Sequence, residues 1–128
     1  MTSKPSLTVL PTAHFRRVFK RLRKKYRHAN DDLQELVKQL EQGETPGDQI
    51  QGVGSTIYKV RVANTDSQRG KSGGYRVIYY LRTMNLIYLV DIYVKSERED
   101  ISSDELRRLI QEVESEQQSN PSSEDNRD

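Results

Sequence analysis

The sequence contains no cysteine, so disulfide staples, thiolate metal sites and a cysteine nucleophile are all excluded. Its two histidines, His14 and His28, are too few for a histidine metal cage. No apolar run exceeds a few residues and mean hydropathy is −0.89, which leaves no candidate membrane span. The first twenty residues also lack the apolar stretch of a signal peptide, and the chain reads as soluble and cytoplasmic, with no membrane partner. Net charge is nearly absent too, at +2 from 21 basic and 19 acidic residues.

That balance conceals segregation. Residues 1–28 hold nine Lys/Arg and no acid, 29–48 hold one and six, 49–95 hold seven and two, and 96–128 hold four and eleven. Blocks of one sign imply separate basic and acidic surfaces rather than a mixed solvated exterior. A chain of 128 residues is about one domain's worth on a prior of roughly 100 to 200 residues per domain. With 33% apolar residues it can build a modest core without staples.

Hydrophobic period then divides the chain. Residues 6–10 alternate and read as a short strand stopped by Pro11. Thr12 caps a helix whose stripe is Phe15, Val18, Phe19, Leu22 and Tyr26, at a 3.6-residue period. Asn30 is placed to cap a second helix striped by Leu33, Leu36, Val37 and Leu40 and ended by Gly43 and Pro46. The period changes to two over 56–63, 75–82 and 86–95, which predicts three strands, the last two joined through Met84-Asn85. Ser102 with Glu105 makes a capping-box spacing before a last stripe of Leu106, Leu109, Ile110 and Val113. The reading is a single α+β domain, β-α-α-β-β-β-α, with a helical hairpin on one face of a small antiparallel sheet. Parallel βαβ winding is disfavoured by the short link between the last two strands. The domain is expected over 1–117, and 118–128, which hold no apolar residue, are expected to be a disordered acidic tail.

Several chemistries have no home here. Asp91 is the only acid in the expected strands, so paired-carboxylate or divalent-metal chemistry is not visible. Gly70-Lys71-Ser72 resembles the end of a phosphate loop, but Thr65 stands where its first glycine belongs and a strand follows. Ser55 and Ser72 have no partner histidine outside the first helix. What remains is cationic: Lys59 and Arg61 on one strand, Arg76 and Arg82 on the next, Lys95 ending the last, and Lys71 in the loop between. A solvated sheet face accounts for such residues, and so does a phosphate-backbone site with tyrosines beside it. The first helix poses the same choice. Arg16, Arg17, Lys20, Arg21, Arg23, Lys24, Lys25 and Arg27 surround its stripe without one acid, and like charges four residues apart disfavour the helix, which favours a polyanion-binding face. His14 and His28 are assigned to that face, His28 at the helix C-terminus where a cation is favoured.

Four blocks in order carry a resemblance: Gly47-Asp48-Gln49-Ile50-Gln51-Gly52-Val53-Gly54, Tyr58-Lys59-Val60-Arg61-Val62-Ala63, Gly70-Lys71-Ser72-Gly73-Gly74-Tyr75-Arg76-Val77-Ile78-Tyr79-Tyr80 and Ile92-Tyr93-Val94-Lys95-Ser96-Glu97. Over residues 6–113 the chain resembles the RelE/ParE superfamily of type II toxins, closest to the HigB/RelE-type ribosome-dependent messenger-RNA interferases. The resemblance implies an endoribonuclease, without metal or cofactor, that cuts messenger in the ribosomal A site. It maps catalysis to Lys59, Arg61 and Arg76, with Tyr93 a candidate for proton transfer. Lys71, Arg82, Lys95 and Arg98 become expected substrate contacts. Arg16, Arg17, Lys20, Arg21, Lys24 and Lys25 become expected contacts to ribosomal RNA. It further implies a cognate antitoxin, of helix-turn-helix type. Two departures stand out: Ser96 follows Lys95 where some relatives have arginine, and no tyrosine occurs after Tyr93. The alternatives are a non-catalytic gyrase inhibitor of the ParE kind and a plain RNA- or ribosome-binding module.

Overall fold

The computed structural model describes residues 7–66, 74–98 and 100–119. Its elements are β1 (Thr8–Pro11), α1 (Ala13–Lys25), α2 (Ala29–Glu41), β2 (Asp48–Gln49), β3 (Ile57–Val62), β4 (Tyr75–Leu81), β5 (Leu86–Val94) and α3 (Ser103–Ser119). The expected order is present with one addition, β2, whose two residues are too few to show a period. Residues 120–128 of the expected tail lie outside the described residues.

The strands lie in the order β1-β5-β4-β3-β2. β2, β3, β4 and β5 pair antiparallel, whereas β1 runs parallel to β5, from Thr8 against Leu86 to Pro11 against Leu89. The expected antiparallel sheet is present, and β1 adds to its edge in parallel, so the sheet as a whole is mixed. Parallel neighbours need a long crossover, and β1 and β5 have one, because both first helices and three strands lie between them.

Each face of the sheet buries one set of stripes. Phe15 and Leu22 of α1 and Leu33, Leu36 and Leu40 of α2 pack on Val60, Tyr75, Val77, Tyr79, Ile87, Leu89, Ile92 and Val94. Leu106, Leu109, Ile110 and Val113 of α3 pack on Ile57, Ile78, Tyr80, Tyr88 and Val90 of the opposite face. β4 and β5 are covered on both sides, which is why their sequences run nearly continuously apolar. A register shift at Ile78/Tyr79 inserts Val90 as an extra residue in β5 and re-aims the residues after it.

The caps explain the helix starts. Thr12 Oγ1 accepts the Phe15 N–H at 3.0 Å and Ser102 Oγ accepts the Glu105 N–H at 3.1 Å, both as expected. α2 differs: it begins one residue before Asn30, and His28 occupies the cap position with no side-chain cap bond. His28 therefore sits at a helix N-terminus rather than a C-terminus, where the helix dipole disfavours a cation. Asp66 supplies the compensating anion, accepting from the His28 N–H at 2.8 Å and pairing with Nδ1 at 2.8 Å. Thr65 adds two bonds to Asp32, so the end of β3 is latched to the helical hairpin.

The hydrogen bond to Asp66 raises the His28 pKa, and the His28 backbone N–H lowers that of Asp66. The His28 contribution is thus complete below its ordinary value of 6.5 and is lost as pH rises through the raised one. The Asp66 contribution is present above 3.8 and is lost as pH falls through the depressed value. An NMR titration of His28 should show a midpoint above 6.5 that falls back toward 6.5 in Asp66→Asn; an unchanged midpoint in the variant would remove the latch.

Candidate active site

Period two places alternate residues of β3, β4 and β5 on the α3 face in three rows. Ile57, Tyr80 and Tyr88 form the first, Lys59 and Ile78 stand in the second, and Arg61, Arg76 and Tyr93 form the third. The apolar stripe of α3 packs with the apolar members of these rows, Tyr93 included, while the cations Lys59, Arg61 and Arg76 open onto a cleft. Gly47, Asp48, Lys59, Arg61, Arg76, Lys95 and Asp100 line that cleft, whose volume is about 550 Å³. Gly47 is required there: at φ +97° a Cβ would stand 2.4 Å from the Lys59 carbonyl oxygen, so only glycine lets the chain lie this close to β3.

Four cations thus share the cleft with two carboxylates. Lys59, Arg61, Arg76 and Lys95, scattered over 37 positions of sequence, are brought together as the strand alternation predicts. Arg76 is 6% exposed, so its stem is packed into the sheet while its head meets the cleft. The cation excess gives the cleft a positive potential, and guanidinium forks match phosphate oxygens.

Asp100 is the residue the sequence reading missed. Its Oδ1 accepts from the Tyr93 hydroxyl at 3.0 Å and pairs with Lys59 Nζ at 3.4 Å. The Tyr93 hydrogen bond and the Lys59 and Lys95 charges hold its pKa below the usual carboxylate value. Tyr93 is itself buried, and burial followed by the bond to Asp100 pushes its phenol up to about 12. Its proton is committed to Asp100. The signal for Asp100 was faint: an acid two residues ahead of a helix cap, in the turn returning from the strand that carries Tyr93. Asp48 was missed because β2 is so short.

Other expected site residues lie elsewhere. Arg82 pairs with Glu114 of α3 at 3.1 Å, and Arg98 pairs with Asp91 at 3.3 Å and Glu105 at 3.1 Å while its guanidinium stacks 5.1 Å from the Tyr93 ring. Neither lines the cleft. Lys71 lies outside the described residues. His14, expected on the basic face, instead joins Asp91 at 2.9 Å, a carboxylate with no exposed surface. Arg16, Arg17, Lys20, Arg21 and Lys24 are exposed on α1; Lys25 is exposed as well but pairs with Glu97. Among the described residues no cluster of three or more His, Asp or Glu is arranged to hold a metal ion, and no helix is long and apolar enough to cross a membrane.

Fold and cleft together define a small α+β protein with a cation-rich cleft on one face of its sheet. Residues 13–122 match the family described as the RelE toxin of the RelE / RelB toxin-antitoxin system, and the chain belongs to that family. A cognate antitoxin is the partner this membership implies.

Proposed function

We propose that this chain is a ribosome-dependent endoribonuclease of the HigB/RelE type, a cytoplasmic toxin that cuts messenger RNA in the A site and is neutralised by a helix-turn-helix antitoxin. The observation that carries the reading is the convergence of Lys59, Arg61, Arg76 and Lys95 on one cleft. In this mechanism the 2′-hydroxyl of the messenger attacks the adjacent phosphate, and Arg61 and Arg76 hold that phosphate and offset the charge that builds in its five-coordinate transition state. Lys59, as an ammonium, delivers a proton to the departing 5′-oxygen. Lys95 holds the neighbouring backbone. The ribosome supplies the alignment of hydroxyl and phosphate, which can account for much of the barrier reduction. No metal or cofactor enters the scheme.

The test is primer extension on a translated messenger, with and without ribosomes. Cleavage that requires ribosomes supports the reading. Intact messenger accompanied by gyrase-trapped DNA breaks would assign the ParE-type activity instead, and intact messenger with ribosome binding would leave a binding module.

The acid-free exposed face of α1 is proposed to dock on ribosomal RNA. Reversing Arg16, Arg17, Lys20 and Lys24 to glutamate should weaken ribosome binding and flatten its dependence on log salt by several units, since single-stranded contacts contribute about 0.7 and duplex contacts about 0.9 per phosphate neutralised. An unchanged salt slope in ribosome-binding titrations would rule the face out.

A further inference from the structure

The cleft holds one feature that a pure cation trap does not need. Asp100 stands inside it, in contact with Lys59, and both of its described contacts fall on the same oxygen: the Tyr93 hydroxyl and Lys59 Nζ meet Oδ1. The second oxygen takes part in neither. A carboxylate fixed through one oxygen by a buried tyrosine, with the other directed by that bond, is how a proton acceptor is oriented.

We infer that Asp100 is the proton acceptor of the cleavage reaction, and that Tyr93 is its positioning residue rather than a proton donor to substrate. The inference rests on the nuclease reading above. In the step proposed, the 2′-oxygen gives its proton to Asp100 Oδ2 and forms a bond to phosphorus. The bond from phosphorus to the 5′-oxygen breaks, its electron pair stays on that oxygen, and the Lys59 ammonium protonates it. The products are a 2′,3′-cyclic phosphate and a 5′-hydroxyl, so no water or metal-bound hydroxide is consumed.

Two observations and one electrostatic argument favour this assignment. Of the two carboxylates in the cleft, only Asp100 has a described bond to a second side chain that orients it. Lys59 and Asp100 place one donor and one acceptor in the same cleft as a 3.4 Å pair, the two partners an acid–base reaction requires once substrate separates them. Finally, an arriving phosphate competes for Lys59, and the loss of that partner together with a new neighbouring anion makes Asp100 a stronger base when substrate is present. The groups facing Asp100 are Lys59 from β3, and Tyr93 and Lys95 from β5 and its end.

The experiment is single-turnover cleavage on programmed ribosomes by wild type, Asp100→Asn, Asp100→Glu and Tyr93→Phe, with binding measured on a messenger carrying a 2′-deoxy nucleotide at the scissile position. Asp100→Asn should cleave about 10²- to 10⁴-fold more slowly and lose the acidic limb of the pH–rate profile, while binding the deoxy messenger at least as tightly as wild type. Asp100→Glu should recover part of the rate, and Tyr93→Phe should lower kcat rather than raise KM. Wild-type-like cleavage by Asp100→Asn, or loss of deoxy-messenger binding in step with rate, would overturn the inference and leave the nuclease reading standing. Absence of cleavage by wild type would remove both.

Discussion

Arg76→Ala should reduce messenger cleavage by about 10²- to 10³-fold, the loss typical of removing one preorganised donor to a developing oxyanion. Arg76 stands in register between Arg61 and Tyr93 and lines the cleft. Its packed stem holds the guanidinium in place before substrate arrives, so little reorganisation is needed during the reaction. Arg76→Lys should recover substrate binding better than rate, because an ammonium restores charge without the fork that spans two phosphate oxygens. Since Arg76 is buried, a thermal unfolding curve for each variant must accompany the single-turnover rate. A folded Arg76→Ala protein cleaving within threefold of wild type would remove Arg76 from the site.

Asp91→Ala should lower folding stability by about 2–3 kcal/mol, less than the 3–5 kcal/mol of breaking a fully buried pair. The carboxylate has no exposed surface and joins three segments: His14 of α1, the Ile92 N–H of β5 itself, and Arg98 beyond the strand. Removing it takes this partner from His14 and leaves Arg98 with Glu105, and the two side chains are 23% and 33% exposed and recover water, which is the reason for the discount. Asp91→Asn, which keeps acceptors for His14 and the backbone, should lose less. Urea denaturation checks both, with an unchanged slope expected; a loss under about 0.5 kcal/mol for Asp91→Ala would make the network incidental. Cleavage should also fall in Asp91→Ala, because Arg98 stacks on Tyr93 and Tyr93 orients Asp100.

Much of the site was legible because β-strands have a strict period. Lys59 and Arg61 alternate with Tyr58, Val60 and Val62, which face the α1–α2 core, and Arg76 alternates with Tyr75 and Val77, so their shared face follows from position alone. Asp100 was not legible for the opposite reason. It lies in the turn after β5, where no period applies, and only the path of that turn brings it onto Lys59. Arg82 and Arg98 failed to join the cleft through the same limit: their character as cations is evident, but their pairing with Glu114, Asp91 and Glu105 depends on how α3 returns across the sheet.

What the near-zero net charge of the whole chain conceals is likewise decided at two levels. Periodicity and charge blocks by themselves determine the helical hairpin, the three main strands, the last helix and a basic first helix with a basic sheet face. These are local properties, each set by spacing within one segment. The tertiary structure alone decides that β1 pairs parallel with β5, that α3 covers the apolar residues of the sheet face and leaves its cations to a cleft, and that an acid enters that cleft. Those outcomes rest on contacts between residues far apart in sequence, where the register of one segment against another, rather than the composition of either, selects the neighbours.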